Sequence, residues 1–424
     1  MFALIDCNNF FVSCQRVFRP DLQNKPVAVL SNNDGCIISR SNEVKQLGIP
    51  MAAPVFKYKN QIRESQTTIF SANFDMYGDF SQRVMSILAY FGDIEIYSID
   101  EAFLNLRHIH SNQLEEFGRE IKNTVFQYTA IPVSIGMTQT KTLAKIANET
   151  AKKDSRSHNA LGGVFVLDNN ANDLDSYLEK INTEDVWGIG YKGAKKLSKQ
   201  KIFTAKDFKY ANSSWVKANL SLLGLKTQKE LNGTDCLDLQ SVAESKKGIA
   251  STRSFGKYVS QLEELKEAIA YHVSLASKKL RKQKSLANYI HVFIMTNRFH
   301  KISYQLNSKG ITLPTATDYT PDLIKLAYEA LVSIYQPNTL YKKAGVYLAG
   351  LIPIGQTQID IFSEDTNSLQ KKKAVRAMDE IQKQFGDKAL QIAARGTSLS
   401  WLSKSSYKSP DYTTKWSDLP IIQI

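Results

Sequence analysis

Short apolar runs alternate with amphipathic stretches through residues 1–168. Apolar runs that are bounded by turn-forming residues predict buried strands. These runs are Phe2–Ile5, Pro26–Leu30, Pro132–Gly136 and Gly163–Leu167. Apolar residues recur at helical spacing over 74–91, 112–128 and 140–153, which predicts helices there. Strands interleaved with covering helices predict an α+β layer with an antiparallel-containing sheet.

The remaining segments differ in composition. Residues 21–72 predict a small polar subdomain inserted after the first strand, and residues 169–240 are helical in pattern and rich in lysine. The polar stretch 241–248 predicts a linker. Residues 249–350 show the order strand, helix, strand, strand, helix, strand, which predicts a compact split-βαβ domain. Its predicted strands are Ile249–Lys257, Tyr289–Thr296, 303–313 and Tyr341–Leu348, and its predicted helices are Leu262–Lys282 and Asp322–Tyr335. Beyond Pro353 the chain is polar and irregular in pattern.

Composition narrows the class of protein. A chain of 424 residues is too long for one core and predicts several domains. No apolar run approaches the roughly 18 residues of a membrane-spanning helix, and the N-terminus resembles no signal peptide. The formal net charge of +13 favours nucleic acid as a partner, with an anionic membrane second. The four cysteines are widely separated, which argues against a zinc site or a disulfide framework and indicates a reducing cytoplasm.

Three carboxylates stand beside strand-like segments. Asp6 ends the first apolar run, and Asp100 and Glu101 lie between two alternating stretches. Each alone can be explained as a strand-end or turn residue. Together, on a basic chain, they predict a site for Mg²⁺, which prefers oxygen ligands and leaves room for substrate phosphates. Two such ions can clamp the attacking and leaving oxygens of a phosphoryl transfer.

Several blocks of the sequence resemble the signature blocks of Y-family translesion DNA polymerases, and in particular those of the UmuC type, the catalytic subunit of bacterial DNA polymerase V. The resemblance covers nearly the whole chain, with the blocks in the same order. The blocks are Asp6-Cys-Asn-Asn-Phe-Phe11, Ser31-Asn-Asn-Asp-Gly-Cys36, Tyr97-Ser-Ile-Asp-Glu-Ala-Phe103, Thr138–Asn148, Asp185-Val-Trp-Gly-Ile-Gly190, Arg253-Ser-Phe-Gly256 and Ser409–Pro420.

The resemblance implies a right-hand polymerase of the α+β class, with a domain order that can be placed on this chain. A ferredoxin-like palm would comprise 1–20 and 73–168, and small fingers would comprise 21–72. A helical thumb with a helix-hairpin-helix would span 169–240. After the linker 241–248, a split-βαβ little finger would span 249–350, and a C-terminal tail with a clamp-binding motif would span 351–424.

The resemblance also implies the catalytic and nucleotide-binding residues. Asp6, Asp100 and Glu101 would hold two Mg²⁺ ions (Mn²⁺ is an alternative), and the main-chain carbonyl of Cys7 would be a further ligand. Phe11 matches the steric gate, a ring beneath the sugar that leaves no room for a 2′-hydroxyl. The remaining implied nucleotide-site residues are Phe10, Lys45 and Lys152. The two lysines would contact the triphosphate, whereas Phe10 is better explained as a core residue.

Further residues are implied to contact DNA and the replication clamp. Gly188 and Gly190, followed by Lys192, resemble a helix-hairpin-helix whose backbone N–H groups approach a DNA phosphate. Arg253 and the basic cluster 278–284 would contact the duplex backbone. Gln358, Ile361 and Phe362 resemble the pentapeptide that docks on a sliding clamp.

The function implied is error-prone, template-directed addition of dNTPs opposite damaged DNA, as part of the SOS response in a bacterial, nucleoid-associated setting. The implied partners are a UmuD-type processed dimer, RecA and the sliding clamp. One alternative is a non-catalytic DNA-binding accessory protein of DNA repair. A nucleotide cyclase on a similar palm is another, but the chain lacks the Gly-Gly-Asp/Glu-Glu-Phe block of such enzymes.

Overall fold

A computed structural model describes residues 1–156, 163–167, 171–240, 244–299, 304–356, 368–397 and 399–421. The chain divides into two units, one of Met1–Ala243 together with Ser406–Ile424 and one of Glu244–Ser405. The strands are β1 (Phe2–Cys7), β2 (Val27–Leu30), β3 (Ile37–Arg40), β4 (Thr68–Ser71), β5 (Ile94–Ile96), β6 (Glu101–Asn105), β7 (Val133–Thr138), β8 (Val164–Val166), β9 (Ile249–Val259), β10 (Ser285–Thr296), β11 (Leu306–Thr317) and β12 (Tyr341–Pro353).

Helices connect and cover these strands. They are α1 (Phe10–Phe18), α2 (Asn42–Gln46), α3 (Val55–Glu64), α4 (Phe74–Tyr90), α5 (Leu114–Thr129), α6 (Lys141–Arg156), α7 (Ala171–Leu178), α8 (Gly190–Ser198), α9 (Ala205–Lys209), α10 (Ser213–Leu231), α11 (Leu262–Lys282), α12 (Thr320–Ile334) and α13 (Ser368–Phe385). The helix α10 is interrupted at Ser221, whose φ is 67°. No helix in the described part of the chain is long and apolar enough to span a membrane.

The largest sheet of the first unit has the order β5-β6-β1-β7-β8, with β1 antiparallel to both of its neighbours. Every residue of β1 is buried. Gly136 of β7 faces α6, and the next residue, Met137, faces Gly118 of α5. Because successive strand residues point to opposite faces, the two helices cover opposite faces of the sheet. The strand end that carries Asp6 is therefore held in a sandwich of helices.

A smaller sheet in the same unit has the order β3-β2-β4 and corresponds to the polar insertion predicted over 21–72. Its core consists of aliphatic residues from β2, β3 and the flanking helices α2 and α3. The sequence pattern does not resolve β3 and α2 as separate elements, because Arg40, Glu43 and Lys45 interrupt the apolar positions of this stretch.

The second unit contains a sheet of order β11-β10-β12-β9, in which all neighbours are antiparallel. The helices α11 and α12 pack on the face formed by alternate residues such as Ile290, Val292 and Val346. The predicted split-βαβ order is confirmed. The strand β11 begins at Leu306, three residues later than 303, and β12 continues to Pro353.

The C-terminal region is more ordered than its polar composition indicates. The prediction of irregular structure after 353 is wrong for Ser368–Phe385, which form α13. Val375 and Gln382 are buried in that helix, seven residues apart on one face. Trp401 is fully buried against Phe255 and Tyr271, with ring centres 5.8 and 5.3 Å away.

Candidate active site

The predicted carboxylates come together at one end of the first sheet. Asp6 of β1 lies directly opposite Glu101 of β6 in the antiparallel register, so both side chains project from the same face. The Cys7 N–H donates to the Asp100 carbonyl oxygen at 2.9 Å, which fixes the start of β6 beside the end of β1. The Asp100 carboxylate accepts a hydrogen bond from the Ser98 hydroxyl at 2.6 Å.

Two lysines of α6 neutralise two of these carboxylates. Lys152 Nζ lies 2.9 Å from Asp6 Oδ2, and Lys145 Nζ lies 2.9 and 2.8 Å from the two oxygens of Glu101. The two lysines are seven residues apart, so they share a helix face. Lys152, which the resemblance assigns to a triphosphate, therefore contacts a carboxylate in this structure. The role of Lys145 was not predicted from the sequence.

Burial and charge act differently on the paired acids. Burial raises the pKa of Asp6 to about 7, against the opposing charge of Lys152. Burial also disfavours ionisation of Glu101, but its contacts with Lys145 outweigh that effect and lower its pKa. Two partly buried carboxylates on paired strands repel each other, and positive charge beside them offsets that repulsion. Their all-oxygen donor set fits a hard divalent cation.

The metal-site geometry is not preformed in the described part of the chain, where no group of three His, Cys, Asp or Glu side chains is arranged to hold an ion. The pairing of Asp6 and Glu101 with Lys152 and Lys145 accounts for this arrangement, since each carboxylate is directed to a lysine. The Cys7 side chain is buried, and burial raises the pKa of its thiol well above the ordinary value. Its predicted role involves only the main-chain carbonyl.

A cleft of about 520 Å³ opens beside the carboxylates. It contains most of the predicted catalytic and nucleotide-site residues, namely Asp6, Cys7, Phe10, Phe11, Lys45, Asp100 and Lys152. Three cations that the sequence analysis missed, Arg16, Arg40 and Lys122, also line it. They come from α1, β3 and α5, so no local pattern connects them. A cleft with carboxylates at one end and several cations along its wall suits a metal-bound polyphosphate.

The two neighbouring phenylalanines differ in environment. Phe10 is 3% exposed and belongs to the core, although it also borders the cleft. Phe11 is half-buried and stacks on Tyr77, with ring centres 4.4 Å apart and planes at 16°. Phe74 meets Phe11 edge-on at 5.9 Å. Phe11 thus presents a ring to the cleft that two aromatic residues of α4 hold in place.

Lys45 reaches the same cleft from α2. Its Nζ lies 2.5 Å from Asn9 Oδ1 and 3.4 Å from Asn42 Oδ1. Asn9, which has a φ of 48°, immediately precedes α1 and so places Lys45 close to the N-terminus of the helix that carries Phe11. Lys45 is therefore placed where an anionic substrate group in the cleft could meet it.

The segment 171–240 contributes a second set of contacts to α6. Glu230 of α10 is fully buried, and its Oε2 accepts hydrogen bonds from the Thr142 backbone N–H at 2.8 Å and hydroxyl at 2.7 Å. A carboxylate at a helix N-terminus satisfies orphan N–H groups and the helix dipole. Trp187 donates from Nε1 to the Tyr97 hydroxyl at 3.0 Å, and Lys145 lies over the Tyr97 ring at 4.3 Å. Neither the Glu230 contact with α6 nor the Trp187 contact with Tyr97 was predicted from the sequence.

The predicted helix-hairpin-helix turn has the backbone conformation that glycine permits. Gly188 and Gly190 have φ of +87° and +56°, and Gly190 begins α8. Lys192 is exposed in the first turn of that helix. The first N–H groups of a helix have no partner within it, so N–H donors and positive charge occur together at this end of α8.

The predicted duplex contacts of the second unit are placed differently. Arg253 of β9 lies between the buried residues Ser251 and Phe255 on the face that packs against α11, where its charge helps to lower the pKa of buried His272. In the basic cluster 278–284, Arg281 is engaged by Asp379 of α13 at 2.6 Å. The clamp-motif residues Gln358, Ile361 and Phe362 lie outside the described residues.

Comparison with known proteins identifies the family. Residues 5–149 match the impB/mucB/samB family, residues 246–361 match its C-terminal domain, and residues 372–422 match a domain of unknown function, DUF4113. Protein UmuC of Salmonella typhimurium is 39% identical over 99% of both chains, and Protein ImpB of the same species is 36% identical over the full length of both. The chain belongs to the impB/mucB/samB family. DNA polymerase IV 1 of Bacillus subtilis is 25% identical over 92% of each chain.

Solved structures agree on the fold. A Dbh-based Y-family DNA polymerase chimera superposes with a TM-score of 0.66 at 20% identity, covering 83% of this chain and all of that one. An insertion ternary complex of Dbh DNA polymerase gives a TM-score of 0.54 at 21% identity over the same share. The predicted right-hand polymerase fold is confirmed, and the full-length match to Protein UmuC confirms the predicted UmuC-type family. The alternative of a non-catalytic accessory protein is not favoured.

Proposed function

We propose that this chain copies past damaged template bases by adding dNTPs to a primer 3′-hydroxyl in the cleft beside Asp6, Asp100 and Glu101. The observation that carries the proposal is that Asp6 and Asp100 line the cation-lined cleft together with the Phe11 ring, while Glu101 lies opposite Asp6 on the neighbouring strand. The family and fold supply the polymerase class. The SOS response is the setting that the resemblance to the UmuC type implies.

Divalent cations fit the site, with Asp6, Asp100, Glu101 and the Cys7 carbonyl as ligands. When bound they would neutralise the triphosphate and assist departure of pyrophosphate. Lys152 and Lys145 would then be released from their carboxylates, and Lys152 would become available to the phosphates that the resemblance assigns to it. Lys45, which also lines the cleft, would contact the same anionic group.

Phe11 would lie beneath the deoxyribose. Its stacking on Tyr77 and its edge contact with Phe74 limit its rotation, so a 2′-hydroxyl would meet a fixed ring. Gly188, Gly190 and Lys192 would hold a phosphate of the duplex without reading its sequence. The placement of Arg253 favours an indirect role, through the packing of β9 on α11, over a direct phosphate contact.

Primer extension on a template with an abasic site tests the proposal. The wild-type chain and an Asp93→Ala control, which removes an exposed acid of the same domain, should extend the primer. Asp100→Ala should lower the rate on the order of a thousandfold, because several kcal/mol of transition-state charge stabilisation would be lost. Extension by Asp100→Ala at the control rate would refute the assignment.

The remaining partners are also part of the proposal. The likeness to Protein UmuC supports a processed UmuD-type dimer as partner, and the resemblance of 358–362 to a clamp-binding peptide supports the sliding clamp. RecA follows from the resemblance alone. Co-migration of the chain with purified clamp on gel filtration, lost in a Gln358→Ala, Phe362→Ala variant, would support the clamp contact. Unchanged co-migration of that variant would contradict it.

A further inference from the structure

The block Ser31–Cys36 has no role in the site described above, although it stands out in the sequence. In the structure its Asp34 binds the C-terminal segment of the same unit. One carboxylate oxygen accepts a hydrogen bond from the Ser406 backbone N–H at 2.8 Å, and the other accepts one from the Ser71 hydroxyl at 2.5 Å. We call residues 406–412 the strap. The strap lies within the stretch that matches a domain of unknown function.

The strap extends the small sheet at its β4 edge. The Ser71 N–H donates to the Tyr407 carbonyl at 3.0 Å, the Tyr407 N–H donates to the Ser71 hydroxyl at 3.0 Å, and Lys408 forms a parallel bridge with Ser71. Covering a sheet edge can be a purely structural device. Two further contacts lead from the strap towards the nucleotide cleft.

The first of these contacts is at the start of α4. The Asn73 amide group donates to the Ser409 hydroxyl at 3.3 Å and to the Pro410 carbonyl at 3.4 Å, while its oxygen caps α4 by accepting from the Met76 N–H. Asn73 and Ser409 are both buried. The helix that begins there carries Phe74 and Tyr77 in its first turn, and these are the rings that hold Phe11.

The second contact is at the end of α1. Tyr412 stacks on Phe18 with ring centres 4.3 Å apart and planes at 18°. Phe18 is the last residue of α1, and Phe11 lies in the first turn of the same helix. Gln15, also on α1, donates to the Tyr77 hydroxyl at 2.9 Å and joins the two helices between these ends. The strap therefore contacts both helices that set the position of the Phe11 ring.

We propose that the strap is a positioning element for sugar selection, which holds α1 and the start of α4 so that Phe11 stays against the deoxyribose. This inference rests on the proposed role of Phe11. In this arrangement the Ser31–Cys36 block binds the strap through the Asp34 carboxylate. Tyr412 acts on the cleft through Phe18, Asn73 through Tyr77 and Asp34 through Ser71. All three are therefore positioning residues.

The test compares the full-length wild-type chain with Tyr412→Ala and with a Trp416→Ala control, which removes a 90% exposed ring from the same C-terminal stretch. The ratio of kcat/KM for a dNTP to that for the matching rNTP is measured in primer extension. Loss of a stacked aromatic pair should lower this ratio about fivefold in Tyr412→Ala. The kcat for the dNTP should stay near the wild-type value. Trp416→Ala should match the wild type.

Hydrogen exchange of the Met76 and Tyr77 amides gives a second readout that does not depend on catalysis. Both amides are bonded to Asn73, so a loosened strap should accelerate their exchange. Asp34→Asn disturbs the other end of the strap, because an amide NH₂ would face one of the two donors. It should change both readouts in the same direction as Tyr412→Ala. It also serves as the test should Tyr412→Ala fail to fold.

The outcomes separate this inference from the proposed function. If the wild type does not polymerise, the proposed function fails, while the exchange rates still decide whether the strap holds α4. If a polymerising Tyr412→Ala chain discriminates like the wild type, the strap has only a structural role and the inference is overturned. Unchanged exchange of Met76 and Tyr77 in both variants would overturn it as well.

Discussion

Replacing Lys145 with methionine removes the positive charge that faces Glu101 but keeps an apolar stem of similar length. The lysine Nζ lies within 2.9 Å of both Glu101 oxygens, and the two side chains are only 18% and 17% exposed. Losing one partner costs about 3–5 kcal/mol for a fully buried pair and about 0–1 kcal/mol for an exposed one. This pair lies between those limits, so we expect a loss of about 2 kcal/mol in the free energy of unfolding.

The assay is thermal unfolding followed by circular dichroism, in EDTA and in millimolar Mg²⁺. A loss of about 2 kcal/mol corresponds to a decrease of about 6 °C in Tm for a unit of this size. A cation bound at Glu101 would supply the charge that the variant lacks, so the deficit should shrink in Mg²⁺. Lys195→Met, at an exposed position on α8, is the control and should leave Tm unchanged. An equal deficit in EDTA and Mg²⁺ would refute metal binding at Glu101, and no deficit at all would refute the ion-pair argument.

Three further predictions concern the supports of the site and the second unit. Both carboxylate oxygens of Glu230 accept hydrogen bonds, so Glu230→Gln must turn an NH₂ group towards either the donors of Thr142 or the Cys236 N–H. The free energy of unfolding should fall by about 2 kcal/mol in urea titrations, whereas a loss under about 0.5 kcal/mol would show that the cap is dispensable. Gly136→Ala places a Cβ 2.2 Å from the Asn148 backbone nitrogen, so α6 must shift and soluble expression should drop sharply, whereas Gly78→Ala, in open space, should express normally. Burial lowers the pKa of His272 to about 3, helped by the charges of Arg253 and Lys343, so between pH 6.5 and 3 the unfolded chain binds a proton that the folded chain excludes. The contribution of His272 to stability should therefore decrease by about 1.4 kcal/mol for each pH unit below 6.5, and the advantage of wild type over His272→Gln should shrink from pH 7 to pH 5; a constant difference would contradict the assignment.

The carboxylates could be predicted because their signal is local. Asp6, Asp100 and Glu101 each adjoin a strand pattern, and the ends of neighbouring strands lie together at one end of a sheet. The two lysines of α6 could not be assigned in the same way. Their partners depend on the register between β1 and β6 and on how closely α6 approaches the sheet, which Gly136 permits through a long-range contact.

The helix α13 shows a different limit. Val375 and Gln382 are buried in this helix, and one of the two is polar. The helix also begins with a run of lysines, so its sequence shows little apolar periodicity. The pairing of Asp34 with residues after 405 is equally invisible to local patterns, because the hydrogen-bonded groups are more than 300 positions apart and one is a backbone N–H. Any residue other than proline has a backbone N–H, so the identity of the residue at position 406 does not reveal the contact.

The helix α6 connects the segment 171–240 to the acidic site. Glu230 of α10 satisfies the N-terminus of α6, and α6 in turn presents Lys145 and Lys152 to Glu101 and Asp6. A helix held at its N-terminus can move less along its own axis, so Glu230, which does not line the cleft, limits how far the lysines of α6 can move relative to the sheet. We therefore expect the segment 171–240 to have two roles, the proposed one at the duplex through Gly188 and Gly190 and one in keeping the charges of the acidic site in place.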